Sequence, residues 1–465
     1  MSRPITLARG HRRPLPHRRG VSADLLGALA ILSAVAVVAL WVMDQGGLLS
    51  LTTTDRALGS LGLLTGLLAS DLMILQVVLL ARVPWVERAW GHDLLTRRHR
   101  WIGFASFWML LAHVALFALE RVTRDPSAAL QALVQVFLTD PWMLSATVGT
   151  LLLILVVATS IRAARRRLRS ESWHLLHLSS YAGIAAGFPH TFTDGADFHQ
   201  AWTRIYWWAL YGFAFAVTLL YRLAWPVWRS LHHRLRVEST RLEAPGVVSV
   251  TMTGHRLDRM RTASGQFFIW RFLDGPGWSR GHPYTLSAAP TGERLRITVK
   301  TAGDGSERAA RLAPGTRVLI EGPYGTFTAR HRTQPRMLLL AAGIGITPLR
   351  ALLEDTDYAP GEATLVYRYS EDQHAVLADE LRALAAHRGI ELIFLPGPRS
   401  ADGSWQAAEP APRDGDVQAL RRLVPDIGRC DIYACGPAAW LTAIRRAALS
   451  AGARRDHFRT EEFGW

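Results

Sequence analysis

Two apolar stretches between His99 and His190 each carry a pair of histidines, and that pairing constrains the chain more than any other feature of its sequence. RRHRWIGFASFWMLLAHVALFAL holds His99 and His113, and ESWHLLHLSSYAGIAAGFPHTF holds His177 and His190. On helices rising ~1.5 Å per residue these spacings set the two imidazoles of each stretch about 20 Å apart, one near each face of a bilayer. An imidazole in hydrocarbon is costly unless it is paired or bound to a metal, and neutral imidazole is a common axial ligand of haem iron. Any one of these histidines could instead hydrogen-bond a neighbouring helix. Four at matched depths imply two stacked bis-histidine haems, His99 with His177 and His113 with His190. Fourteen steps at ~100° return nearly to one helix face and thirteen do not, so Pro189 is expected to kink its helix and swing His190 back. His174 competes with His177 for the inner position, and periodicity does not separate them.

Composition supports a membrane setting. The 465 residues suffice for two or three domains. A mean hydropathy of +0.10, with the apolar residues concentrated in the first half, indicates partial embedding in a lipid bilayer. A net charge of +15 would suit nucleic acid, but the arginines flank apolar runs instead of forming a stripe with interleaved aromatics. Lipid headgroups are the expected partner, and nucleic acid is not. Cys430 and Cys435, the two cysteines, build neither a disulfide framework nor a zinc cluster, and they place the C-terminal half in a reducing cytosol.

Residues 1–20, with six arginines, read as a cytoplasmic basic tail, and residues 21–225 as a six-span transmembrane domain. The spans are expected at Asp24–Met43, Leu58–Val83, Arg100–Leu119, Trp142–Ile161, Trp173–Phe192 and Trp202–Ala224. Sixteen arginines lie in residues 1–20, 82–100 and 162–170, against Arg56, Arg121, Arg124 and Arg204 on the other side. That bias puts both termini in the cytoplasm of a multi-pass plasma (inner) membrane protein and runs spans three and five from inside to outside. His99 and His177 then share the inner level and His113 and His190 the outer, a pairing reached from charge alone. Asp71 in the second span reads as a buried hydrogen-bond partner.

After the sixth span the periodicity changes. In residues 234–330, GVVSVTMTG, GQFFIWRF, RLRITVK and TRVLIEGPYG read as strands of an antiparallel β-barrel. In residues 331–465, RMLLLAAGIGITPLRALL, ATLVYRYS and CDIYACGP read as strands each followed by a helix, which makes a parallel α/β sheet. Gly343 and Gly345 allow close backbone approach where a strand enters a helix, so that a phosphate can rest on the amides. Such a G-x-G alone is also what a tight turn looks like; the CGP of Cys435–Pro437, ending a second strand, adds weight.

These pieces together resemble the ferric reductases and NADPH oxidases, which join a six-span haem domain to a ferredoxin–NADP reductase-like module. The resemblance covers residue 58 to the end. It implies a multi-domain fold: an all-α six-helix transmembrane haem bundle, an antiparallel β-barrel FAD domain and an α/β parallel-sheet NAD(P) domain. HPYTLSAAP looks like the family's flavin motif, which would put His282, Pro283, Tyr284 and Thr285 on FAD. Lys300 with Gly303, Gly305 and Ser306 looks like the cradle of the FAD pyrophosphate. GIGITP, with Gly343, Gly345, Thr347 and Pro348, and CGP, with Cys435 and Gly436, look like the nicotinamide-nucleotide motifs. The pattern from Trp173 to Tyr181 favours His177 as ligand. Phe463 in E-x-F matches the terminal aromatic that stacks on the flavin, and Cys435, Phe463 and Thr285 would be the catalytic contacts. Arg368 and Arg399 point to NADPH, with NADH possible, because arginine beside an adenosine ribose pairs with a 2′-phosphate.

The resemblance implies electron flow from NAD(P)H through FAD and two b-type haems to an extracytoplasmic acceptor. SLGLLTGLLAS lacks the arginine, and Phe117 replaces the histidine, that mark the oxygen-reducing oxidases; a ferric chelate is therefore expected ahead of oxygen, with Asp194, Asp197 and His199 as a possible hold for it. A protein or quinone acceptor is the alternative. A six-span channel with a regulatory nucleotide domain is the reading from another class, and it predicts no haem.

Overall fold

The computed structural model describes residues 19–43, 50–140, 142–165, 170–193, 201–301, 304–408 and 415–463. The chain forms two compact units, one of Arg19–Leu223 and one built from Ala224 onward.

The first unit is helical: α1 Arg19–Met43, α2 Thr54–Leu79, α3 Pro84–Trp90, α4 His92–Arg124, α5 Ala129–Thr139, α6 Met143–Ser160, α7 Arg162–Arg165, α8 Ser170–Thr193 and α9 Ala201–Thr218. A π-helical turn, Leu219–Ala224, follows. Among the described residues five helices are long and apolar enough to cross a membrane: Ala23–Met43, Thr54–Leu79, Leu94–Arg124, Met143–Ser160 and Ala201–His233. The sequence led to six. The missing one is α8, which forms at the expected place and spans 24 residues, but whose serines and three histidines dilute its apolar character. Two expected loops also contain short helices, α3 and α5.

Glycine sets the close approaches. A Cβ on Gly149 of α6 would lie 2.5 Å from the Gly183 carbonyl oxygen of α8, so these two helices touch backbone to backbone. Val37, Trp41, Leu67, Ile74, Trp207 and Ala214 form a buried cluster joining α1, α2 and α9. Beside it Ser33 donates to Asp71 Oδ1 at 2.5 Å and the Tyr206 hydroxyl lies 3.5 Å away, which makes Asp71 the buried hydrogen-bond partner that the sequence suggested.

The second unit begins with α10, Trp225–His233, and continues through β1 Arg236–Ala244, β2 Val247–Thr253, β3 Phe267–Phe272, β4 His282–Thr285, β5 Arg294–Lys300, α11 Asp304–Ala310 and β6 Val318–Tyr324. Among the described residues no closed barrel is found. The strands form two three-stranded antiparallel sheets, β1-β2-β5 and β4-β3-β6, around one core that includes Val250, Phe268, Trp270, Ile297 and Ile320. Between the sheets run the single bridges Arg236–Arg317 and Leu286–Ile297. β4 has four residues, Pro283 within it has no N–H to donate, and contact with β5 is made just beyond it, where the Ser287 amide bonds the Arg296 carbonyl at 2.8 Å.

The rest is β7 Arg336–Ala342, α12 Ile346–Asp355, β8 Ala363–Tyr369, α13 Ala378–Arg388, β9 Glu391–Pro396, α14 Asp416–Leu423, β10 Cys430–Gly436, α15 Ala438–Ala451 and β11 Phe458–Glu462. These five strands form a parallel sheet of order β11-β10-β7-β8-β9. Both faces are covered by apolar clusters, which is why β7 and β10 read as continuous apolar runs without alternation. The order in which strands are laid down reverses between β7 and β10, and a crevice at the carboxyl ends of strands at such a switch point is where open α/β sheets bind ligands.

Candidate functional site

In the helical unit the histidines are brought together across α4 and α8. The His99 and His177 rings lie 6.0 Å apart with their planes at 66°. His177 is the ring that faces His99, and His174 is exposed. α8 continues through Pro189 to Thr193, and His190 lies within electrostatic reach of His113.

Each ring has an oxygen at its Nδ1. The Gln76 carbonyl faces His99 at 3.3 Å, the Gly62 carbonyl faces His113 at 2.9 Å, and the Ser160 hydroxyl lies 3.4 Å from His177. Asp140 Oδ2 lies 3.6 Å from Nδ1 of His190. The hydrogen-bonding oxygens at Nδ1 of His99, His113 and His177 fix those tautomers and leave Nε2 as the metal-binding lone pair, while at His190 the carboxylate stands at ion-pair distance. The donor set therefore fits two bis-imidazole irons. Gly66 makes room, since a Cβ there would be 2.5 Å from His113 Nδ1. Gln76, Gly62, Ser160 and Asp140 escaped the sequence reading, because nothing in a linear pattern marks the second partner of a ligand. Phe117 stands edge-on to His113 at 5.1 Å. Asp194, Asp197 and His199 lie outside the described residues.

In the second unit β4 carries His282, Pro283, Tyr284 and Thr285 in register against Trp270, Ile269, Phe268 and Phe267 of β3. His282 and Tyr284 stack at 6.0 Å, and burial pushes the Tyr284 hydroxyl up to about 12, so it stays neutral. Thr285 donates to Glu461 Oε1 at 3.0 Å, which ties the antiparallel lobe to β11 of the parallel sheet. Glu461 pairs in register with Cys435. Cys435 is fully buried, and burial first, then the Glu461 carboxylate, holds its thiol well above the ordinary range. A thiol that stays protonated offers a neutral contact and no nucleophile. Phe463 packs against the same cluster, its amide 3.4 Å from the Gly436 carbonyl. Sequence reasoning used the E-x-F pattern for Phe463 and passed over Glu461 within it.

The two nucleotide motifs meet across β7 and β10. Gly343 has φ +55 and open space where a Cβ would stand, a vacancy able to admit a phosphate to the backbone. A Cβ on Gly345 would lie 2.2 Å from the Cys435 carbonyl oxygen, so only glycine lets the two strand ends pack. Thr347 and Pro348 are buried at the start of α12, where the Thr347 hydroxyl bonds the Ile344 carbonyl instead of facing outward. Arg368, at the end of β8, is pinned by the Pro398 carbonyl at 2.7 Å; burial, then the neighbouring Arg399, depress its affinity for its proton. Lys300 ends β5 and is exposed. Gly303 lies outside the described residues, and of Gly305 and Ser306 only the backbone, in α11, is described.

A bundle with paired intramembrane imidazoles and a two-lobed nucleotide-binding module define a membrane flavin oxidoreductase. Comparison with known proteins agrees. A family model described as the ferric reductase like transmembrane component matches residues 65–188, and one described as the oxidoreductase NAD-binding domain matches residues 339–446. The ferredoxin reductase component of 3-ketosteroid-9-alpha-monooxygenase from Mycolicibacterium smegmatis is 32% identical over 211 residues, 44% of this chain and 57% of that protein. Ferredoxin–NADP reductase B from Sorangium cellulosum is 31% identical over 207 residues, 40% of this chain and 80% of that protein. A crystal structure of the FAD/NAD-binding domain of nitric oxide dioxygenase from Vibrio cholerae aligns at 22% identity with a TM-score of 0.40, covering 50% of this chain and 99% of that one. The chain spans a little over half the length of the monooxygenase reductase components it matches. The chain thus joins a ferric reductase-like transmembrane component to a ferredoxin–NADP reductase-like module, the fused ferric reductase architecture.

Proposed function

We propose that the protein is a transmembrane NAD(P)H-dependent oxidoreductase of ferric-reductase type, taking electrons on the cytosolic side and delivering them to an extracytoplasmic acceptor. The reading is carried by four imidazoles in apolar helices, each with an oxygen at Nδ1, in the same chain as a nucleotide-binding module. It assigns residues 1–20 to a cytoplasmic tail, 21–225 to a six-span haem domain, 234–330 to FAD and 331–465 to NAD(P), with both termini in the cytoplasm of the plasma membrane. When bound, FAD converts the two-electron donor into one-electron steps and two b-type haems supply the one-electron path.

Each role falls to particular residues. His99 and His177 hold the inner haem, and His113 and His190 the outer. Tyr284 and Thr285 position the flavin ring, His282 and Pro283 shape the strand beneath it, and Lys300, Gly303, Gly305 and Ser306 take its pyrophosphate. Gly343, Gly345, Thr347, Pro348 and Gly436 form the backbone cradle for the nicotinamide nucleotide. Cys435 presents a neutral thiol at the strand end, Phe463 shields the site, and Arg368 with Arg399 takes the 2′-phosphate of NADPH. Phe117 beside His113 leaves an apolar cover where an oxygen-activating site would need a hydrogen-bond donor, which favours a ferric chelate as acceptor.

The test is a reduced-minus-oxidised spectrum of the purified full chain with a haem count. Two low-spin b-type haems per chain are expected, and His113→Leu or His190→Leu should each leave one. Absence of haem, or two haems in either variant, refutes the assignment. A second reading, electron delivery to a protein, is favoured by the relatives whose names make them reductase components of monooxygenases.

A further inference from the structure

We propose that Asp140 is a positioning residue that lowers the reduction potential of the outer haem by acting through His190. The proposal rests on the reading of His113 and His190 as the outer ligands. The four imidazoles are not held alike: His99, His113 and His177 face neutral oxygens, whereas His190 faces a carboxylate at 3.6 Å.

The carboxylate is built in. Asp140 closes α5, its amide bonded to the Val136 carbonyl at 3.0 Å, and its Oδ1 accepts the Trp142 amide at 2.8 Å just before α6 begins. Held between two helix ends, it turns Oδ2 toward His190, and its side chain is only 16% exposed. The N-terminus of α6 favours the negative charge. At 3.6 Å the carboxylate acts on His190 through its charge, not a hydrogen bond: a negative charge beside the ring stabilises the positive charge that grows on an imidazole donating through Nε2, and so favours ferric over ferrous iron. The ligand facing His190 receives no such help, because His113 bonds the neutral Gly62 carbonyl. Among the described contacts, this carboxylate therefore sets the outer site apart from the inner one.

Potentiometric titration of full-length wild type, Asp140→Asn and Asp140→Glu, followed in the haem bands with a haem count and ferric EPR, tests this. Asp140→Asn should keep two haems, raise one midpoint and leave the other unchanged. A tenfold change in the ferric-to-ferrous ratio, about the size expected, corresponds to a shift of about 59 mV for one electron. Asp140→Glu should restore the low midpoint and the EPR signature. Two unchanged midpoints with both haems retained would overturn the inference while leaving the ligand assignment standing. If Asp140→Asn loses a haem, Asp140→Glu decides: a recovered haem at the wild-type midpoint supports the charge, and a recovered haem at a raised midpoint makes Asp140 structural and overturns it. Wild-type protein without haem overturns the ligand assignment and this inference together.

Discussion

At Gly66 a hydrogen atom in place of a methyl group decides whether His113 can stand where it does, and at Gly345 the same substitution would drive a Cβ into the Cys435 carbonyl. Neither glycine occupies a strained turn; each is a space requirement imposed by another element. The arginines at the nucleotide end invite a sharper test. Arg368 is half-buried and bonded to the Pro398 carbonyl, so its loss would disturb the loop as well as any ligand. Arg399 is exposed and near it, and two adjacent guanidinium groups repel until an anion joins them. Arg399→Ala should lower kcat/KM for NADPH about tenfold or more, the worth of one charged hydrogen bond, and leave NADH unchanged. Equal losses with both cofactors would remove the 2′-phosphate role.

Among elements, one carboxylate of the parallel-sheet lobe gathers arginines from both lobes of the reductase module. Glu380 of α13 accepts from Arg296 of β5 at 2.8 Å and from Arg241 of β1 at 2.8 Å, and Arg350 of α12 lies 3.0 Å away. Burial would raise this carboxyl, but the hydrogen bonds and charges of Arg296, with Arg350 and Arg241, outweigh it and take it down to about 2. Because the folded value lies below the ordinary 4.5, the stabilisation is present above that value and is lost as pH falls toward 2. Glu380→Gln should therefore cost on the order of 3 kcal/mol at neutral pH, with the deficit shrinking between about pH 4.5 and 2. Flavin release during thermal unfolding of the full chain reads this out, and a deficit independent of pH would show that the charge is not responsible. The juxtamembrane helix α10 also runs against expectation for an amphipathic helix. It buries Arg229, Ser230 and His233, with Ser230 bonding both the carbonyl and the amide of Ile320, and exposes Trp225, Trp228 and Leu231.

For the whole molecule, the acceptor is the property on which the proposed function makes its most exposed prediction. In proteoliposomes supplied with NADPH on the flavin side, ferric chelates should be reduced faster than oxygen. Superoxide release matching NADPH consumption and undiminished by added chelate would reverse the choice toward an oxidase. Reduction of neither would direct attention to a protein or quinone.

Much of this architecture is written in local pattern. Apolar run length placed the helices, the change from apolar runs to short alternating segments near Arg236 marked the β lobe, and glycines after apolar strands marked the nucleotide motifs, since each of these depends on near neighbours in the chain. Charge counting supplied an expected pairing of the histidines, because the bilayer acts on every loop alike. What local pattern could not reach depends on contacts between distant segments. The count of apolar spans fell to five because α8 gives up hydrophobicity to its histidines, and in place of a barrel two sheets are joined by single bridges. His177 over His174, the oxygen at each Nδ1, the Thr285–Glu461 bond and the carboxylate beside His190 exist only once helices and strands far apart in sequence have packed. Sequence determines which residues are able to bind; tertiary structure decides which partner each one faces, because a hydrogen bond depends on distance in space and not on separation along the chain.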